Sequence, residues 1–151
     1  MQNLLNLISQ LESKIPFHEK TNPTVSSSTV GWQIEHSLKT IYQIALAVKN
    51  SNPQEYRWKF NKSKLFISIL GFIPRGKAKA PKVVLPDETI SEESLINSLQ
   101  NVKAILEEWK SFDKNSYFKH PFFGNLNKKS TMWFLKLHTN HHLKIVNDIC
   151  K

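Results

Sequence analysis

The sequence predicts a single all-α domain, a four-helix bundle with one additional short helix and long crossover loops. Three observations predict it. Four stretches carry apolar residues at three- and four-residue intervals, Pro, Gly and Asn mark their ends, and there is little of the strict alternation that a half-buried strand needs. The chain has 151 residues, about the size of one domain, with no repeat and no polar linker to separate two folding units, so the domain is taken as 1–151.

Residues 1–15 place Leu4, Leu5, Ile8, Leu11 and Ile15 on one helical face, and Pro16 closes that segment. Residues 17–29 hold Pro23 and the run Ser26, Ser27, Ser28, Thr29, whose hydroxyls compete for backbone hydrogen bonds and suit a loop ending in an N-cap. A helix over 30–48 follows, with Ile34, Leu38, Ile41, Ala45 and Val48 as its stripe, stopped by Asn50 to Pro53. A short apolar helix is expected over 63–73, ended by Pro74 and Gly76. Residues 75–86, rich in Pro and Lys, read as an exposed loop, partly extended at 82–85. Thr89 and Glu92 have capping-box spacing and open a helix to about residue 112, with Leu95, Leu99, Val102, Ile105, Leu106 and Trp109 inward. Residues 113–126 are a linker, and Asn127 caps a last helix over 128–149.

Composition narrows the function classes. With 40% hydrophobic and 22% charged residues, the chain is neither collagen-like nor disordered. Its single cysteine, Cys150, allows no intrachain disulfide and no cysteine-based zinc finger, so any metal must be held by nitrogen or oxygen. Cys150 lies one residue from the end of the given sequence and reads as a coincidental thiol. No cationic stretch precedes the first apolar residues, and the longest apolar run, 65–74, is half of the roughly 20 residues that span a bilayer. A cytoplasmic protein without a membrane partner is the expectation.

The six histidines carry most of the chemistry. Leu135, His138, His142, Ile145 and Ile149 form the inward seam of the last helix. At i and i+4, the two side chains project from one face with their Cβ atoms about 6 Å apart, close enough for both rings to reach one ion. His141 lies one residue off that seam and is the weaker candidate. A useful metal centre takes at least three protein ligands, so a third must come from another helix. His36 is the only histidine inside another expected helix. On the helical wheel it lies with Trp32, Thr40, Gln43 and Ala47, about 160° from the centre of the apolar stripe, so spacing alone does not put it in the core. Trp32 and the small Ala47 on that side suggest a helix buried on two faces. A hydrogen-bonded packing histidine is the competing reading for each of them. His18 and His120 fall in expected loops, where His120 before Pro121 shapes a turn.

Trp32-Gln33-Ile34-Glu35-His36, the linker His120-Pro121-Phe122-Phe123-Gly124-Asn125-Leu126, and His138-Thr139-Asn140-His141-His142 together resemble the DinB-like metal-binding four-helix bundles, in particular a branch known as a domain of unknown function. The resemblance covers roughly residues 25–150. It implies a metal triad of His36, His138 and His142 holding a divalent ion, zinc or nickel first, near one end of the bundle with solvent or substrate completing the coordination. The superfamily includes enzymes that transfer low-molecular-weight thiols to electrophiles, so the resemblance implies a metal-dependent thiol S-transferase first; metal chemistry itself, by lowering the pKa of a bound water towards about 7, makes a hydrolase of a small substrate the second expectation. The expected cofactors are therefore the metal ion and a low-molecular-weight thiol. A homodimer is a reasonable expectation for a bundle of this kind. No general acid or base is assigned: Glu35 points about 100° from His36 and is expected in solvent.

The formal charge of +9 is concentrated. No acidic residue lies between Glu55 and Asp87, a stretch with eight cations: Arg57, Lys59, Lys62, Lys64, Arg75, Lys77, Lys79 and Lys82. Interleaved with Tyr56, Trp58, Phe60 and Phe66, they give the rival reading, a non-enzymatic basic module binding nucleic acid or another polyanion. No helix-turn-helix, ribonucleoprotein motif or finger spacing supports it, so nucleic acid is not the expected partner. The same cations at the mouth of a metal cleft would attract an anionic small-molecule substrate. The tryptophans, Trp58 included, are expected as core and cleft walls.

Overall fold

The structure, a computed structural model, describes residues 1–75, 82–86 and 89–151. Helices dominate it: α1 (Gln2–Glu12), α2 (Val30–Lys49), α3 (Lys62–Leu70), α4 (Glu92–Glu108) and α5 (Lys128–Cys150), with a hairpin of β1 (Tyr117–His120) and β2 (Gly124–Asn127) before α5. Short 3-10 turns lie at Ile15–Phe17, Pro53–Glu55, Lys82–Val84 and Trp109–Ser111.

α2 is the centre of the packing. It lies against α4 and α5, and it also touches β1 and the Lys82–Val84 turn, while α1 packs on α5. The core joins Leu4, Ile8 and Leu11 of α1 to Ile34, Leu38 and Ile41 of α2. Leu95, Val102, Leu135 and Ile149 complete it from α4 and α5. The caps are local and explicable. Thr29 accepts from the Trp32 amide at the start of α2, Asn61 from Lys64 at α3, and Asn127 from Ser130 at α5, each hydroxyl or amide oxygen satisfying a donor that has no partner within its helix. Gly71 closes α3 at φ 71°, the left-handed conformation that glycine adopts without a Cβ penalty.

Several expectations need correction. The stretch read as a linker, 113–126, carries most of the antiparallel hairpin, with Phe118 opposite Leu126 and His120 opposite Gly124. Its four-residue strands are too short to show alternation, and Gly124 at φ 67° makes the turn. The capping box of α4 is Ser91 with Ser94, whose hydroxyls each accept from the other's backbone amide; Thr89 and Glu92 have the spacing, but the helix starts two residues later. That helix ends at Glu108 and continues only as a 3-10 turn. Residues 82–84 form a 3-10 turn rather than an extended segment. Ile15, expected in the first helix, opens a separate turn ahead of Pro16, which has no amide proton to give. Lys77 and Lys79 lie outside the described residues. No described helix is long and apolar enough to cross a membrane.

Candidate metal centre

α2 and α5 bring His36, His138 and His142 together, as the triad implied by the resemblance requires. One donor nitrogen from each lies within 4.8 Å of the other two. The ring centroids of His36 are 5.2 Å from those of His138 and 4.7 Å from His142. His36 and His142 are buried and His138 half-buried.

His36 is buried because β1 and the Lys82–Val84 turn pack on α2, although Ala47, farther along the same side, is exposed. Trp32 stacks on its ring at 5.0 Å and 17°. The Lys82–Val84 turn packs on α2, and the Val84 carbonyl accepts a hydrogen bond of 2.8 Å from His36 Nδ1. A carbonyl oxygen can only accept, so Nδ1 carries the proton and Nε2 keeps its lone pair. His142 is fixed in the same way, its Nδ1 donating to Gln33 Oε1 at 2.6 Å, and Gln33 Nε2 in turn donates to the Ser26 hydroxyl. Gln33 thus links the cluster to Ser26, a partner that spacing in the sequence did not single out. The signal was present: Gln33 sits three residues before His36, between the aromatic Trp32 and the apolar stripe, and the serine run before it supplies the partner.

His138 Nε2 lies 3.2 Å from His142 Nε2. Two nitrogens on a tetrahedral ion at about 2.05 Å are about 3.3 Å apart, so this pair is already spaced for a shared ion. His138 Nδ1 is buried and has no hydrogen-bond partner among the described residues. Three imidazoles, two with Nε2 lone pairs fixed by outer partners, no carboxylate in the set, and a donor pair at this spacing fit a borderline divalent ion such as zinc or nickel.

Burial lowers the pKa of each ligand candidate. His36 is pushed down by desolvation against the opposing Val84 hydrogen bond. His138 lies well below the ordinary value by desolvation and then by His36 and His141, and His142 falls for the same first reason and then through His138 and His36. All three rings are therefore neutral near pH 7, the form that ligates.

The remaining histidines divide as follows. His120 accepts through Nδ1 from the amides of Phe122 and Phe123, both at 3.1 Å, and stacks on Phe123 at 4.4 Å, so it shapes the hairpin turn. Burial pushes it down to about 4. His141 meets the His142 ring edge-on at 5.0 Å, and its pKa is lowered by burial and then by Arg75, against a hydrogen bond with the Ile73 backbone. His18 Nδ1 lies 3.2 Å from the Ile15 carbonyl, away from the cluster. Cys150 is free and half-buried.

Glu35 departs from expectation. It is buried, accepts from the Ser98 hydroxyl at 3.0 Å, and lies 3.9 Å from Lys39 Nζ. The 100° turn from His36 points it at α4 rather than at water, because α4 covers that side of α2.

The triad opens on a cleft of about 640 Å³ walled by Trp32, Ile67, Val84, Phe118, Phe123 and Phe134. Lys119 is its one Lys, Arg, Asp or Glu side chain among the described residues. A second groove of about 230 Å³ shares Ile73, Pro74 and His141 with it and is lined also by Arg75, Asn140 and Lys144. Trp58, expected as a wall, is 69% exposed and stands apart from both.

Comparison with curated proteins and with solved structures gave no match. A family match covers residues 68–148, which includes the hairpin, His138 and His142 but not His36. Spanning more than half of the chain, that match places the protein in the family described as protein of unknown function (DUF1569).

Proposed function

We propose that the chain is a divalent-metal-dependent enzyme of the DinB-like four-helix-bundle kind, with His36, His138 and His142 as ligands, transferring a low-molecular-weight thiol to an electrophile. Hydrolysis of a small substrate is the second reaction in order. The observation that carries the reading is the convergence of three imidazoles from two helices, with the Nδ1 protons of His36 and His142 held by Val84 and Gln33. A zinc or nickel ion there would supply Lewis acidity to an incoming thiol or water, making either acidic enough to lose its proton near neutral pH.

Three neutral imidazoles add no negative charge, so the site favours an anionic donor atom. The aromatic walls exclude water and bind an apolar electrophile by area rather than by hydrogen bonds. The adjoining groove, with Arg75, Asn140 and Lys144, suits the acidic groups that a small thiol cofactor carries, and it meets the cleft at His141. Arg75 is paired with Asp148 at 2.8 Å, which holds its guanidinium at the groove wall.

The test is a screen of metal-loaded protein against low-molecular-weight thiols and electrophiles, read as thiol consumption. Consumption that needs the metal and is lost in His138→Ala supports transfer. Ester hydrolysis with the same dependence and no thiol consumption moves the assignment to the second reaction. Metal binding without either reaction contradicts both.

A further inference from the structure

The segment 58–72 presents an apolar surface that the metal centre does not use. Every α-helix but α3 buries side chains in the core, whereas none of the nine residues of α3 is buried. At 100° per residue, Leu65, Ile69, Phe66 and Leu70 occupy an arc of about 140°, and all four are exposed, Phe66 by 60% and Ile69 by 76%. Ile67 lies outside that arc, and its half-buried side chain is the one that lines the cleft. Trp58 and Phe60, just before the helix, are exposed as well. Around these side chains stand Arg57, Lys59 and Lys62, all exposed, with no acidic residue anywhere in 56–86.

We propose that this face docks on an anionic lipid bilayer, with α3 lying in the headgroup plane. An exposed apolar arc flanked by tryptophan, phenylalanine and basic side chains is the composition of an interfacial helix, and charge complementarity selects an anionic surface. Nine residues are far too few to span, so the docked helix lies on the membrane and does not cross it. A second copy of the chain is a poorer occupant, because an isologous contact would bring two copies of the Arg57, Lys59 and Lys62 cluster into one interface with no acidic residue of the segment to offset them. Nucleic acid accounts for the cations and aromatic rings but gives no use to the aliphatic Leu65, Ile69 and Leu70. Through Ile67, docking sets the cleft beside the bilayer.

The test is co-sedimentation of the whole protein with phosphatidylcholine vesicles, with and without about 30% phosphatidylserine, at low and high salt. The proposal expects binding at least about tenfold stronger to the anionic vesicles and weakened by salt. Phe66→Glu with Ile69→Glu reduces it about tenfold or more, and Lys59→Glu with Lys62→Glu about 25-fold or more. These side chains are exposed and lie outside the histidine cluster, so thermal melting and zinc stoichiometry stay at wild-type values and confirm folding. Equal binding to both vesicle types, no binding, or variants that bind like wild type overturn the proposal. So does a dimer in sedimentation velocity that Ile69→Glu dissolves, or binding of a single-stranded oligonucleotide that exceeds vesicle binding and ignores Ile69→Glu.

Discussion

Replacing Gln33 by Leu removes the acceptor that fixes the His142 tautomer while keeping the side-chain volume. The Nδ1 to Oε1 distance is 2.6 Å and both residues are buried, so no solvent replaces the lost partner. Partners of this kind change metal affinity by about 10- to 100-fold, equal to about 1.4–2.7 kcal/mol. The unpaired Nδ1–H also lowers the stability of the metal-free protein by about 1–3 kcal/mol. Zinc affinity is measured by competition with a chromophoric chelator, and stability by chemical denaturation. Gln33→Glu returns a stronger acceptor and is expected to restore affinity to wild type or above, while Ser26→Ala, which removes only the anchor of the Gln33 amide, costs less than fivefold. A folded Gln33→Leu protein that binds zinc within twofold of wild type, or a Gln33→Glu protein that recovers nothing, would mean that Gln33 does not hold the His142 ring for a metal.

His120→Ala loses the acceptor for two turn amides and a stacked ring, and should lower stability by about 1–2 kcal/mol, with His120→Asn recovering part of it and zinc stoichiometry unchanged in both; denaturation and metal analysis check this. Gly31→Ala places a Cβ 3.0 Å from the His18 carbonyl oxygen and 3.1 Å from its Cβ, so a fall in stability of about 1–3 kcal/mol is expected from thermal melts. His36, His120, His138, His141 and His142 all have lowered pKa values when folded. The unfolded chain takes up protons below about pH 6.5 while the folded chain does not, so their stabilisation is complete above that value and is lost as pH falls below it. The loss is at most about 1.4 kcal/mol per pH unit for each histidine still neutral, and His120 contributes down to about 4. Denaturation midpoints at pH 7.5, 5.5 and 4.5 that stay level contradict it.

Much of the helical framework was legible because it depends on local rules. The apolar spacing of Leu4, Ile8 and Leu11, the Thr29 and Asn127 caps, and the seam of α5 are written into consecutive residues. The hairpin was not, since its register depends on His120 accepting from two amides and on Gly124 turning with positive φ. His138 and His142 could be paired from spacing alone. His36 could not, because its burial comes from the Lys82–Val84 turn, 46 or more residues along the chain, and from Trp32 stacking. The same long-range cover hid Glu35, which meets Ser98 of α4. Trp58 failed in the opposite sense: nothing in its neighbours in sequence distinguishes a core tryptophan from an exposed one.

If rings from α2 and α5 share one divalent ion, zinc titration by calorimetry of wild type beside His36→Ala, His138→Ala and His142→Ala gives one tightly bound ion per wild-type chain and loss of that tight site in all three variants. A His36→Ala protein that retains the ion at wild-type affinity would contradict a shared ion, as would a wild-type protein that binds none.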